Sequence, residues 1–436
     1  MKLAIHGGTP VRTRPFPAYR VIGQEEKDAV SRVLDSGILS RYLGCWHRDF
    51  LGGPEVQALE NEWAGYFGVK HAMAVNSCTS GLICAVGAVG VEPGDEVICS
   101  PYTMSASCTA ALVFHGVPVF ADIEPDFYCI DPASVEARVT PRTRAVIVVD
   151  LFGLPHDARA IGAVARKHGL AVIEDTAQAP GALFQGSHAG TLADIGVFSL
   201  NYHKHIHCGE GGVVVTNDDG LADRVRLIRN HAEAVVAGMG VENIANMIGF
   251  NFRLPEMEAA IARCQLGKLA ELVRVRQENC AYLAGRLGQI PAIRPPRVRP
   301  GCTHVYYVQP FTFDEARAGV SRDPFIDAVR AELPVTELRE AEGPLLSCGY
   351  VAPLYLQPLY QRRVAFGTRG CPFVPPWYAG TVDYSKGICP VTERLFEKEL
   401  FLHEMMRPGM TPADLDDVVA AFEKVWEHRS ELGAGG

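Results

Sequence analysis

From about residue 71 the chain alternates short β-branched, apolar runs with segments of helical period, and Gly, Pro or Asp marks each switch. That rhythm belongs to a mostly parallel central sheet covered by helices, because each parallel strand needs a crossover to reach the next. The predicted strands are Ala72 to Val75, Glu96 to Cys99, Pro118 to Ala121, Ala145 to Val149, Ala171 to Ile173, Ile195 to Ser199 and Gly212 to Thr216. Helices fit between them, for example Ala158 to His168 and Leu221 to Asn230.

After Leu254 a helical stretch runs to Leu287 and gives way to the Pro-rich segment Pro291 to Pro300, read as a linker or domain edge. A strand-like His304 to Phe313, a helical Pro324 to Leu333 and a final helix from Pro412 to His428, with Thr411 as its N-cap, suggest a smaller α/β unit. A chain of 436 residues suits one large domain and one smaller one. The expected division is residues 1–270, including an N-terminal arm, and residues 271–436.

Composition excludes several classes. Apolar residues at 48% and charged residues at 21% allow a sizeable core, which argues against disorder. The net charge of -9 comes without basic runs, so nucleic acid is not an expected partner. Met1 to Ala18 lacks the apolar stretch of a signal peptide, and no segment approaches the ~20 apolar residues that cross a bilayer. A cytoplasmic protein without membrane partners is expected. The 13 cysteines form no C-x-x-C pair, which suggests neither a disulfide framework nor a zinc ribbon.

Ligands of open α/β sheets gather at the carboxyl ends of strands, so polar residues just past each apolar run are the candidates. Asn76-Ser77-Cys78-Thr79-Ser80-Gly81 offers a helix N-terminus with hydroxyls, fit for a phosphate or for simple capping. Glu174-Asp175-Thr176-Ala177-Gln178 offers a carboxylate that can pair with a pyridinium nitrogen, or a solvated loop acid. Ser199 to His205, followed by Gly209-Glu210-Gly211-Gly212, places Lys204 where a Schiff-base amine can act. Gly249-Phe250-Asn251-Phe252-Arg253-Leu254 precedes an amphipathic helix. A rival uses the same stretch: on a strand His203, His205 and His207 would share a face, with Cys208 next, as a transition-metal set for a metal-dependent hydrolase.

Taken in order, these motifs resemble the DegT/StrS-like family of sugar and cyclitol aminotransferases that depend on pyridoxal 5'-phosphate (PLP), a fold-type-I α/β architecture. The resemblance spans about Phe16 to Glu427 and includes Gly94-Asp95-Glu96-Val97, Ser199 five residues before Lys204, and Asn251-Phe252-Arg253. It implies that Lys204 holds the cofactor covalently and then shuttles protons, that Asp175 binds the pyridine nitrogen and that Gln178 lies near the ring hydroxyl. Thr79, Ser80 and Ser199 would hold the phosphate, completed by Asn251 of a second subunit in a homodimer with shared active sites.

Three positions depart from the family pattern: Met104 stands where an aromatic residue usually stacks on the cofactor, Asp150 where relatives often carry histidine, and His203 where a small residue is commoner. The segment Leu39 to Gly53 is longer than its counterpart and carries Tyr42, Trp46, His47 and Arg48; Trp46, His47 and His205 are candidate substrate contacts. Relatives with histidine in place of the lysine are sugar dehydratases, so Lys204 favours transamination from L-glutamine or L-glutamate to a keto-cyclitol or keto-sugar. PLP-assisted dehydration with aromatisation, the metal-dependent hydrolase and a catalytically silent binding protein are the alternatives.

Overall fold

The seven predicted apolar runs pair into one sheet: β1 (His71–Val75), β2 (Glu96–Cys99), β3 (Val117–Phe120), β4 (Thr143–Val149), β5 (Ala171–Asp175), β6 (Ile195–Ser199) and β7 (Gly212–Thr216). This computed structural model describes residues 2–337 and 345–433. The spatial order is β1-β7-β6-β5-β4-β2-β3. All neighbours run parallel except β7, which is antiparallel to β1 and β6. β7 follows β6 after a loop with no helix in it, so the chain turns straight back instead of crossing over. Pro118 sits in β3, an outer strand, where a missing N–H costs no ladder bond.

Four strands differ at their ends from expectation: β1 begins one residue earlier and β4 two residues earlier than predicted. β3 begins and ends one residue earlier, and β5 continues two residues beyond Ile173, because Asp175 still pairs with Val149 and Val197. Polar side chains hid that extension: Glu174 and Asp175 are buried ladder residues, not the start of a loop.

Helices Cys78–Ala88, Ala106–Val113, Ala158–His168 and Asp219–Arg229 cover the sheet. Short polar side chains start three of these four: Ser77, Asp157 and Asp218 each accept an N–H from the first helical turn. Helix Glu256–Leu287 packs on helices Gln24–Ser36 and Pro54–Phe67 and continues unbroken through residue 270.

The C-terminal part has its own antiparallel sheet, in the order Ile293–Arg294, Gln309–Phe313, Leu400–His403, Leu346–Cys348. Ile293–Arg294 is thus a strand inside the segment expected to be a linker, and the strand expected from His304 begins at Gln309. Helices Arg322–Glu332 and Pro412–Glu427 close the core over this sheet, and Leu3 and Phe16 pack into it from the N-terminus. Thr411 caps the last helix reciprocally with Asp414. Between the strands Leu346–Cys348 and Leu400–His403, Tyr355, Tyr360 and Tyr378 return to the core of the large sheet, where Tyr384 donates its hydroxyl to Pro118 O at 2.7 Å.

Candidate active site

Four carboxyl ends of the large sheet, β1, β2, β5 and β6, supply the candidate residues. β1 leads into helix Cys78–Ala88, whose first turn is tied by Ser77: its Oγ accepts the Ser80 N–H at 3.0 Å and meets Ser80 Oγ at 2.9 Å. Ser80 Oγ in turn donates to Asn76 Oδ1 at 2.7 Å, so it is committed to the cap, while Thr79 is exposed on the first turn. Gly212 lets β7 lie against this turn, since a Cβ there would stand 2.8 Å from Cys78 N and from Ser77 C. Ser199 ends β6 buried, and its Oγ accepts the Asn201 N–H at 3.3 Å.

Asp175 ends β5 almost fully buried. Its Oδ2 accepts the Ser107 hydroxyl at 2.7 Å and its Oδ1 accepts the Ala177 N–H at 3.1 Å. Burial raises its pKa above the usual carboxylate value, while Ser107, Ala177 and the Lys204 charge pull it back. Lys204 lies in the loop after β6, its N–H donated to Asn201 O at 2.9 Å and its Nζ 4.3 Å from the centre of the Tyr307 ring. The Lys204 charge reaches Cys78, Asp175, His205 and Tyr350, which therefore lie around it.

Gln178 is buried and engaged at both ends: Oε1 accepts the Phe152 N–H at 2.8 Å, and Nε2 donates to Tyr350 Oη at 3.1 Å. Burial pushes the Tyr350 phenol up to about 12, which keeps it protonated near neutral pH. Tyr307 and Tyr350 come from the C-terminal part, and Ser107 from the helix after β2. None of the three was singled out from sequence, since a Tyr or Ser in an ordinary run carries no spacing signal.

Of the other candidates, Met104, Asn251, Trp46 and His47 are exposed and His205 is buried. Met104 is exposed at the end of the β2 loop. Asn251 is exposed, with Oδ1 accepting from Arg253 Nε at 2.7 Å and its carbonyl accepting from Asn76 Nδ2 at 3.4 Å. Trp46 packs edge-on against Phe50 and beside Gly238, and His47 Nδ1 accepts the Asp49 N–H at 3.1 Å. Asn230 holds this long loop by donating to the carbonyls of Leu43 and Phe50. His205 has no exposed surface; its Nε2 bonds to Val305 O at 2.8 Å, and burial drives its pKa well down, so the ring is a neutral packing group with no face for a substrate.

The metal reading fails on its premise. Residues 200–211 form a turn-rich loop, not a strand, so His203, His205 and His207 do not alternate on one face. Among the described residues, the side chains close enough to share an ion are instead Asp150, His156 and Glu174. All three are buried: Asp150 Oδ1 meets His156 Nδ1 at 2.8 Å, Asp150 Oδ2 accepts the Thr176 hydroxyl at 2.9 Å, and Glu174 Oε2 accepts the Leu192 N–H at 2.9 Å. Burial and then the Asp150 charge push the Glu174 carboxyl well above its usual range. Asp150, noted as a departure, is thus answered by an imidazole from position 156.

A lysine past β6, a buried carboxylate ending β5 and a hydroxyl-rich helix start after β1 converge, and residues 21–372 match the model of the DegT/DnrJ/EryC1/StrS aminotransferase family. The chain belongs to that family. As a DegT/DnrJ/EryC1/StrS aminotransferase it is similar to L-glutamine:2-deoxy-scyllo-inosose aminotransferase of Streptoalloteichus tenebrarius, 35% identical over 99% of both chains. It is also similar to spore coat polysaccharide biosynthesis protein SpsC of Bacillus subtilis, 31% identical over 93% of this chain and 95% of that one. The solved aminotransferase from Psychrobacter cryohalolentis superposes with a TM-score of 0.79 at 28% identity, covering 95% of this chain and 99% of that one. The fold is that of the fold-type-I PLP aminotransferases, and PLP is the cofactor of this DegT/DnrJ/EryC1/StrS enzyme. The residues fit it: a hydroxyl-bearing helix start for an anion, a carboxylate with lone pairs left beyond Ser107 and Ala177, and a lysine whose charge reaches that carboxylate. The whole-length relatives are aminotransferases, which favours transamination over the dehydration alternative.

Proposed function

We propose that this enzyme moves the amino group of L-glutamine, or of L-glutamate, to the keto group of a cyclitol or sugar, with Lys204 as the covalent anchor of PLP. The observation that carries the reading is the placement of Lys204 beside Asp175 at adjacent strand ends, with both within reach of the start of helix Cys78–Ala88. A keto-cyclitol is the preferred acceptor, because the relatives named for 2-deoxy-scyllo-inosose align along 99% of their length and of this chain. A keto-sugar is second.

In this reading Thr79, Ser80, Ser199 and the first-turn N–H groups hold the phosphate. Asp175, kept in place by Ser107 and Ala177, faces the ring nitrogen, and Gln178 uses its remaining amide hydrogen near the ring hydroxyl. When bound, the cofactor supplies an electron sink for the carbanion formed at the carbon that loses its proton. Lys204, once freed, carries that proton between carbons as general base and acid in both halves of a ping-pong cycle. Met104 covers a ring face with a thioether. Trp46 and His47 belong to a loop that contacts the acceptor.

We also propose a cytoplasmic homodimer in which Asn251 of the partner subunit completes the phosphate cradle. The exposed Asn251, and the exposed Ile244 and Ile248 just before it, support an interface there. Among the described residues no helix is long and apolar enough to cross a membrane. The large unit is taken as residues 1–270 and the small one as 271–436.

The test is the visible spectrum of the purified protein with PLP, before and after L-glutamine or L-glutamate. The wild type is expected to show a cofactor band that either donor bleaches, and Lys204→Ala is expected to lose both the donor response and turnover. Release of water without transfer of donor nitrogen would overturn the transamination reading.

A further inference from the structure

The Lys204 Nζ is held 4.3 Å from the centre of the Tyr307 ring, near enough for a cation–π contact. The ring is the fixed partner. Tyr307 N donates to Phe152 O at 2.8 Å, and its carbonyl accepts from the buried Arg276 Nη1 at 3.3 Å, which also binds Tyr306 O at 3.1 Å. Behind it, Gly153 leaves no room: a Cβ there would stand 2.7 Å from Tyr306 N and 3.0 Å from Tyr307 N. The His205 ring, next in sequence to Lys204, lies 6.3 Å from the Tyr307 ring. Tyr307 is thus clamped to the turn after β4 through Phe152 and to helix Glu256–Leu287 through Arg276.

We infer that Tyr307 is a positioning residue whose ring face is the resting place of the Lys204 ammonium whenever that side chain is not joined to the cofactor. This rests on Lys204 being the anchor. Displacement by the donor's nitrogen would free Nζ as a neutral amine, the base of the proposed cycle, and Nζ would carry a proton again once the cofactor holds the amino group. A contact made only by the free ammonium stabilises the cofactor-free enzyme and the amine form of the loaded enzyme, and not the joined state between them. A group that binds only some states shifts the equilibria toward those states by its differential interaction alone. Tyr307 therefore opposes PLP capture and assists conversion to the amine form, by the same factor.

The experiment compares wild type, Tyr307→Phe and Tyr307→Leu, with Tyr307→Met replacing the leucine variant if that one does not fold. PLP affinity is measured by absorbance titration of the cofactor-free protein, and the L-glutamine concentration giving half conversion of the loaded enzyme to its amine form is measured separately. Removing the ring is expected to tighten PLP binding about two- to fivefold and to raise the half-conversion concentration by the same factor, from the ~0.5–1 kcal/mol of a partly exposed cation–π contact. Phenylalanine, which keeps the ring face, should stay within about twofold of wild type on both readouts. Loss of PLP affinity in the leucine or methionine variant, no change in either quantity, or a phenylalanine variant that behaves like leucine would each overturn the inference. Failure of the underlying reading looks different: the wild type itself would then show no visible band with PLP.

Discussion

Gln178 Oε1 accepts the N–H of Phe152 at 2.8 Å, and Phe152 is a fully buried residue in the left-handed region, at φ 60° and ψ 0°. A bulky residue in that conformation costs about 1–3 kcal/mol and persists only where its surroundings hold it. Here both of its peptide groups are held, the N–H by Gln178 and the carbonyl by the Tyr307 N–H. The same glutamine reaches Tyr350, so its amide and the C-terminal tyrosines share one strained node.

Gln178→Ala would leave the Phe152 N–H buried without an acceptor. The expected loss is about 1–3 kcal/mol, read as a lower midpoint in urea, together with weaker PLP retention. An unchanged midpoint would show that Gln178 does not support the turn.

Asp175→Asn should lower turnover by about a hundred- to a thousandfold while PLP still binds, because a charge aimed at the ring is replaced by a neutral amide. Ser107→Ala acts through the same carboxyl. The Ser107 hydroxyl lowers the Asp175 pKa, so its removal should move the acid limb of the kcat profile to higher pH. A limb that stays in place in Ser107→Ala would separate that limb from Asp175.

His156→Ala removes the imidazole from a buried group holding two carboxyls. The expected cost is about 1–3 kcal/mol, that of leaving a buried carboxyl oxygen without its hydrogen-bond partner. Combining it with Asp150→His, which returns an imidazole and removes a carboxylate, should recover part of that loss in a double-mutant cycle. Purely additive losses in urea would argue against coupling.

Folding stability should fall as the pH drops below about 6.5. Burial lowers the pKa of His304 and of His403 to about 3, so between pH 3 and pH 6.5 the unfolded chain binds more protons than the folded one, and stability rises with pH across that window. For the two rings together the loss from pH 7 to pH 5.5 is about 2.5 kcal/mol, measurable by urea titration at the two values. His304→Gln should flatten part of that dependence.

The sheet and the cofactor motifs were legible because both are written locally. Apolar runs long enough to cross a buried sheet, such as Val146 to Val149 and Val213 to Val215, declare themselves by composition, and a capping hydroxyl or a strand-end lysine announces itself by position. The order of the strands, the antiparallel β7, and the strand inside the Pro-rich segment depend on which runs find each other in space. So do Ser107 beneath Asp175 and Tyr307 beneath Lys204, pairs far apart in the chain, and His156 beside Asp150, six residues apart and brought together by the turn after β4; the sequence neighbourhoods of all these side chains are ordinary. The alternation of His203, His205 and His207 misled for the same reason, since a spacing defines a shared face only after the backbone has chosen a strand, and here it chose a loop.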